Sequence, residues 1–121
     1  MITTKSEREI QLMREAGRIS NLALKKVGEN IRPGISTLAL DKIAEKVIRD
    51  NNGIPSFKDY NGYPASICAS INHVLVHGIP DKTVLKNGDI ISIDVGASYK
   101  GYHGDNAWTF VVGEVSDKAQ Q

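Results

Sequence analysis

This 121-residue chain has one cysteine, Cys68, and an aromatic content of only 6%. A lone cysteine cannot form an internal disulfide, so a disulfide-held scaffold is excluded and a reducing, cytoplasmic setting is expected. No apolar run is longer than three residues, which excludes a transmembrane helix, and the polar N-terminus lacks the hydrophobic region of a secretory signal. We therefore expect no membrane partner.

The chain also lacks an excess of either charge, since 15 basic and 14 acidic residues leave a net charge of +1. Non-specific binding to nucleic acid requires a basic field and is not expected. The sequence contains no phosphate-binding loop, dinucleotide glycine fingerprint, nucleophile elbow or His-Glu-x-x-His motif. What is present is an ordinary globular composition, 40% hydrophobic and 24% charged, in a chain long enough for one domain.

The first 53 residues predict two helices. Ser6 and Glu9 have the spacing of a capping box, and apolar or small residues then recur at helical intervals as far as Gly28, a plausible stop. The small residues among them indicate close packing against a sheet or another helix. A second helix, capped by Ser36 or Thr37, ends at an Asn-Asn-Gly turn.

The remainder predicts a loop over residues 54–64 and then short strands. The strands are expected at Ile67–Ile71, Val74–Val76, Ile90–Ala97 and His103–Val112. Helices followed by antiparallel strands indicate an α+β fold, with two helices on one face of an antiparallel sheet. Ser116 has the character of an N-cap and predicts the start of a further helix.

Asp94 and Asp105 lie eleven residues apart on the two arms of one predicted hairpin. If Tyr99-Lys100 forms the loop, the two residues are directly opposite each other; if Lys100-Gly101 forms it, they are diagonal neighbours. Either loop places both carboxylates on one face within about 5–8 Å, because side chains alternate along a strand.

Two facing carboxylates repel each other, so the pair requires a shared proton or a divalent cation. The alternative is that each Asp sits at a solvated strand end. His103 precedes Asp105 by two residues and shares its face, so a one-metal site of Asp94, Asp105, His103 and His77 is a further possibility. His77 follows a short apolar strand, where it lies either at a pocket rim or as a satisfied histidine at a strand end.

Aromatic residues and the cysteine cluster around the predicted loop, namely Phe57, Tyr60, Tyr63 and Cys68. Such residues can line an apolar pocket suited to a thioether, because sulfur–aromatic contacts are favourable. The alternative is that they cover the core. Cys68 is not expected to be a nucleophile, because no base stands at a fixed spacing from it.

Four segments together resemble type I methionine aminopeptidases in order and spacing. They are Tyr60–Cys68, Val76–Pro80, Gly88–Gly96 and Gly101–Asp105. The helical N-terminus resembles the same family, so the resemblance covers nearly the whole chain but about the first half of the family's pattern. It implies that residues 1–121 are the N-terminal half of a catalytic domain with a pita-bread (creatinase/aminopeptidase) fold, the C-terminal half being absent.

The resemblance implies removal of the N-terminal methionine from nascent proteins with two divalent ions of Co, Mn, Fe or Zn. Asp94 and Asp105 would be metal ligands, Asp105 bridging both ions, and His77 would contact the substrate beside the scissile carbonyl. Tyr60, Tyr63 and Cys68 would form the wall of the methionine pocket, with Phe57 at a neighbouring position. His103 matches no ligand position of the family.

The family's remaining ligands, one His and two Glu, belong to its second half. The chain is therefore expected to be inactive alone, with an uncovered, apolar sheet face that associates with a complementing C-terminal half or a second copy. An X-Pro peptidase of the same fold and a non-catalytic peptide-binding module are the alternative interpretations.

Overall fold

Two helices come first and the strands of one antiparallel sheet follow, as the sequence predicts. The structure is a computed structural model that describes residues 6–58, 63–72 and 78–113. The predicted strand at 74–76 and the predicted helix after Ser116 lie outside these residues. The elements are α1 (Glu7–Glu29), α2 (Thr37–Asp50), β1 (Ile54–Pro55), β2 (Ile67–Ile71), β3 (Ile90–Tyr99) and β4 (Tyr102–Val111).

The predicted capping box at the start of α1 is confirmed. The Ser6 hydroxyl accepts the Glu9 N–H at 3.1 Å, and the Glu9 carboxylate accepts the Ser6 N–H at 3.3 Å. The helix does not stop at Gly28 but continues to Glu29, with Asn30 as its C-cap. Gly28 is needed for packing instead, because a Cβ there would lie 2.6 Å from the Phe110 ring.

Ser36, not Thr37, caps the second helix. The Ser36 hydroxyl accepts the Ala39 N–H at 3.1 Å. Thr37 is buried in the first turn, and its hydroxyl donates to the Asp81 carbonyl at 3.1 Å. The N-terminus of α2 is thereby attached to the chain that leads into β3.

The sheet is organised around β3, which pairs with β4 along one edge and with both β1 and β2 along the other. The predicted loop at 54–64 is wrong at its start, because Ile54 and Pro55 pair with Ser98 and Ala97. A two-residue strand containing proline is too short to show the period-two pattern on which strand prediction depends.

The core lies between the helices and one face of the sheet, so the predicted α+β arrangement is confirmed. The residues of β3 that face the helices are fully or almost fully buried, namely Ile91, Ile93, Val95 and Ala97. Their partners include Ile19 and Val27 of α1 and Leu40 and Ile48 of α2. Within the described ranges, no helix has the length and apolar character needed to cross a membrane.

The predicted close packing of the small residues of α1 is found at Gly17, which lies against Gly104 of β4. A Cβ on Gly104 would lie 2.5 Å from the Gly17 nitrogen and 2.8 Å from its Cα. Both are backbone atoms, which cannot turn aside as a flexible side chain can. The bare Cα of Gly104 thus sets the approach of α1 to the strand that carries Asp105.

Gly104→Ala is expected to destabilise the chain by about 2–3 kcal/mol, because helix and strand must separate to admit the methyl group. Urea denaturation followed by circular dichroism measures the effect. Gly17→Ala is the matched control: a Cβ on Gly17 meets nothing within 4 Å. It should be neutral or stabilise the helix by up to about 1 kcal/mol. Equal effects of the two substitutions would contradict the packing argument.

Candidate active site

The β3–β4 hairpin turns through a two-residue loop, Lys100-Gly101, flanked by the pair Tyr99 and Tyr102. Both loop residues have positive φ, 49° and 88°, as tight two-residue hairpins require. Of the two registers left open by the sequence, the structure therefore has the one in which the two Asp residues are diagonal neighbours.

In this register Asp94 pairs with Ala107 and Asp105 with Gly96, and both carboxylates lie on the sheet face away from the helices. Partial desolvation, and secondarily the nearby Asp105 charge, raise the pKa of Asp94 above its ordinary value. The negative charges of the two carboxylates therefore repel each other. A cation placed between them would remove that repulsion.

The donor chemistry of this pair fits a divalent ion, for which carboxylate oxygens are common ligands. The fit is partial, because residues 6–58, 63–72 and 78–113 contain no group of three or more His, Cys, Asp or Glu side chains able to hold a metal. The predicted one-metal site is therefore not assembled from His103 and the two Asp. His77 lies outside the described residues.

The predicted aromatic cluster is assembled for its described members, whereas Tyr60 lies outside them. The rings of Phe57 and Tyr63 meet edge to face with centroids 6.4 Å apart. The Tyr63 hydroxyl donates to the Ile67 carbonyl at 2.8 Å. Burial, and secondarily a hydrogen bond with Cys68, raise the pKa of Tyr63. The hydroxyl is therefore neutral and a hydrogen-bond donor at pH 7.

The aromatic–thiol cluster and the carboxylate pair adjoin each other on the open sheet face. Cys68 of β2 is the direct cross-strand partner of Asp94. An open depression of about 460 Å³ lies over this part of the sheet, lined by residues that include Cys68, Ser70, Ser92, Asp94, Ala107 and Thr109. A ligand in this depression could contact the Cys68 thiol and the Asp94 carboxylate at once.

The open sheet face, on which a large apolar patch was expected, carries both polar and apolar side chains. Near its middle, the hydroxyls of Ser92 and Thr109 form a hydrogen bond of 3.1 Å. At the end distant from the hairpin turn, Ile90 and Val111 are 45% and 43% exposed. Apolar exposure also occurs beside the carboxylates, because Trp108, which is 66% exposed, lines the same depression as Asp94.

Sequence reasoning missed two acidic residues of α2 that attach the cluster to the helix layer. Asp41 is 5% exposed and accepts the N–H groups of Ser66 at 2.6 Å and Ile67 at 3.1 Å. Glu45 accepts the Lys58 ammonium at 2.9 Å. The only sequence signal was an Asp next to the apolar stripe of α2, and it does not identify the partners.

A second missed contact joins the hairpin to β1. The His103 Nδ1 lies 2.7 Å from the Ser56 hydroxyl, which lies 3.1 Å from that of Ser98. These residues and Phe57 line a cavity of about 430 Å³. The sequence predicted that His103 shares a face with Asp105, but it held no signal for a contact across 47 residues.

Comparisons of the sequence with family models and with curated proteins agree with each other. The family model described as Metallopeptidase family M24 matches residues 11–121. Methionine aminopeptidase 1 of Bacillus subtilis is 58% identical over 117 residues, which are 97% of this chain and 47% of that protein. The chain thus spans about half the length of the curated relatives it matches.

Solved structures agree. Methionine aminopeptidase from Rickettsia prowazekii superposes with a TM-score of 0.90 at 38% identity, covering 99% of this chain and 48% of that one. X-Pro aminopeptidase from Thermotoga maritima superposes less well, with a TM-score of 0.75 at 27% identity, covering 95% and 31%. The described helices and sheet therefore have the fold of half of a pita-bread domain.

Proposed function

Because this chain belongs to metallopeptidase family M24, we propose that it supplies the N-terminal half of the active centre of a methionine aminopeptidase. The observation that carries the proposal is the direct pairing of Cys68, beside an aromatic wall, with Asp94 of the carboxylate pair. An enzyme that removes an N-terminal methionine needs an apolar pocket next to its hydrolytic groups. A cytoplasmic location accompanies this proposal.

In this proposal Asp94 and Asp105 are ligands of two divalent ions of the Co, Mn, Fe or Zn class, and Asp105 bridges both. Because Asp105 is the diagonal neighbour of Asp94 on the same sheet face, both carboxylates would face one metal centre. Bound ions would supply Lewis acidity that polarises the scissile carbonyl and activates water. Two carboxylates cannot complete the coordination of two ions, so we propose that a complementing C-terminal half supplies the other ligands.

The proposed substrate is the N-terminal methionine of a nascent protein. Phe57, Tyr63 and Cys68 offer aromatic and sulfur contacts to its thioether, and Tyr60 is proposed to extend the same wall. The neutral Tyr63 hydroxyl is held on a backbone carbonyl, so the ring is fixed in orientation. His77 is proposed to hydrogen-bond the scissile carbonyl as charge develops on it.

The proposal predicts activity only on complementation. The chain should be mixed with a separately expressed C-terminal half of the 58%-identical Bacillus subtilis relative, with Mn²⁺ present. We expect release of methionine from a Met-Ala-Ser peptide by the mixture and by neither part alone. Cleavage of an Ala-Pro peptide with no release of methionine would indicate the X-Pro peptidase instead. No cleavage by a mixture shown to be folded and associated would indicate a non-catalytic binding module.

A further inference from the structure

The residues that meet over Gly96 connect the two parts of the proposed site. Gly96 lies on the open face of β3, directly opposite Asp105 of β4. Across the other edge of β3, the Ser56 N–H donates to the Gly96 carbonyl at 3.0 Å. Gly96 therefore stands between the strand that carries a carboxylate and the segment that begins the aromatic wall.

A side chain at this position would be crowded by three neighbouring side chains. A Cβ on Gly96 would lie 3.1 Å from the Phe57 ring, 3.2 Å from the Ser56 Cβ and 3.3 Å from the His103 ring. Three side chains from two different segments thus converge on the space that glycine leaves free. His103 crosses that space to place its Nδ1 2.7 Å from the Ser56 hydroxyl.

The hydrogen bond is not an isolated pair. The Ser56 hydroxyl also contacts the Ser98 hydroxyl at 3.1 Å, and Ser98 is the cross-strand partner of His103. The Ser56 hydroxyl thus contacts both members of one cross-strand pair of the hairpin, whose backbone positions are fixed by the pairing of β3 with β4. Ser56 is the residue before Phe57.

We propose that His103 is a positioning residue that fixes the Phe57 wall relative to the strand of Asp105 by its hydrogen bond to Ser56. The inference rests on the proposed function in taking Phe57 as part of the substrate pocket. Phe57 in turn packs edge to face on Tyr63, and the Tyr63 hydroxyl is hydrogen-bonded to the half-buried Cys68 thiol. Loss of the His103–Ser56 bond therefore loosens Phe57 and then Tyr63, and frees the Cys68 thiol from its contact with Tyr63.

The single cysteine makes this testable in the 121-residue chain without any catalytic assay. The rate at which Cys68 reacts with a water-soluble aromatic disulfide measures how often its contact with Tyr63 opens. His103→Ala and Ser56→Ala should each raise that rate about tenfold, the change in local opening that corresponds to one lost hydrogen bond. The double variant should react no faster than Ser56→Ala alone, because Ser56→Ala already removes the bond that His103→Ala removes.

His103→Asn is the conservative variant, since its amide places a polar atom near the position of Nδ1, and it should react at the original rate. Asn30→Ala is the matched control. It removes the Asn30–Lys26 hydrogen bond at the end of α1, outside the depression that Cys68 lines, and should leave the rate unchanged. Thermal melting of each variant shows that the chain remains folded, and Ser56→Ala serves as the test if His103→Ala does not fold.

Additive rates in the double variant would overturn the proposal, as would unchanged Cys68 reactivity in a folded His103→Ala chain. A Mn²⁺ titration of the complemented assembly adds a second criterion: His103→Ala should bind as the original does. If the His103→Ala assembly fails to bind Mn²⁺ while the original assembly binds it, His103 is a metal ligand and not a positioning residue. Because thiol reactivity does not depend on turnover, failure to release methionine would count against the proposed function and leave this inference standing.

Discussion

Asp105→Asn is expected to lower kcat/KM for a Met-Ala-Ser peptide by at least about 1,000-fold in the complemented assembly, because it removes a proposed ligand shared by both ions. The amide keeps the shape of the side chain but loses the negative charge and the second ligating oxygen. The measurement is the initial rate of methionine release at saturating Mn²⁺. A rise in KM with kcat unchanged would contradict the ligand role, because loss of a shared metal ligand should lower kcat.

The same substitution should have the opposite effect on the isolated, metal-free chain. There the Asp105 charge lies near Asp94 and raises its pKa, so removal of that charge relieves repulsion and raises the melting temperature slightly. Asp50→Asn is the control, because Asp50 lies on the helix side in an exposed ion pair with Lys46 and should change neither quantity. Loss of both stability and turnover on Asp105→Asn would indicate a structural role for the residue.

Asp41→Ala is expected to destabilise the chain by about 2–4 kcal/mol, among the largest effects of a single substitution here. The buried carboxylate accepts the N–H groups of Ser66 and Ile67 at the start of β2. Alanine would leave both donors buried without a partner. The free energy of unfolding from urea denaturation measures the loss, and a change below about 1 kcal/mol would show that the contacts are replaceable.

Asp41→Asn separates the hydrogen bonds from the charge. Its amide oxygen can still accept the two N–H groups, while the cost of burying a carboxylate is removed, so its stability should lie close to the original. Burial raises the pKa of Asp41, so the folded state binds its proton more tightly than the unfolded state does. Its contribution to stability therefore falls as the pH rises from the unfolded pKa through the folded one, and Asp41→Asn should remove that decline.

The elements whose local pattern decides their structure could be predicted from the sequence. Ser6 and Glu9 predicted the cap of α1, and strand alternation placed Asp94 and Asp105 on one face before the loop was known. The strand register was undecided only because a two-residue loop at Tyr99-Lys100 and one at Lys100-Gly101 both place the two Asp residues on the same face. The Lys100-Gly101 loop was the better prediction, since glycine at the second loop position adopts the positive φ that such turns require.

The contacts that assemble the site depend on chain segments far apart in sequence. The partners of Asp41 are 25 and 26 residues away, and the contact of His103 with Ser56 crosses 47. Gly28 shows the same limit: it has the local character of a helix stop, yet it lies inside α1, where the Phe110 ring of a distant strand packs closely against it. Local propensity identifies residues able to do chemistry, and tertiary packing decides which of them meet.

Calorimetric titration with Mn²⁺ tests most directly the claim that this chain contributes half of a two-ion centre. We predict two ions per complemented assembly, no tight binding to either part alone, and loss of tight binding when the assembly carries Asp105→Asn. Tight binding that survives that substitution, or a folded assembly that binds no Mn²⁺, would contradict the account.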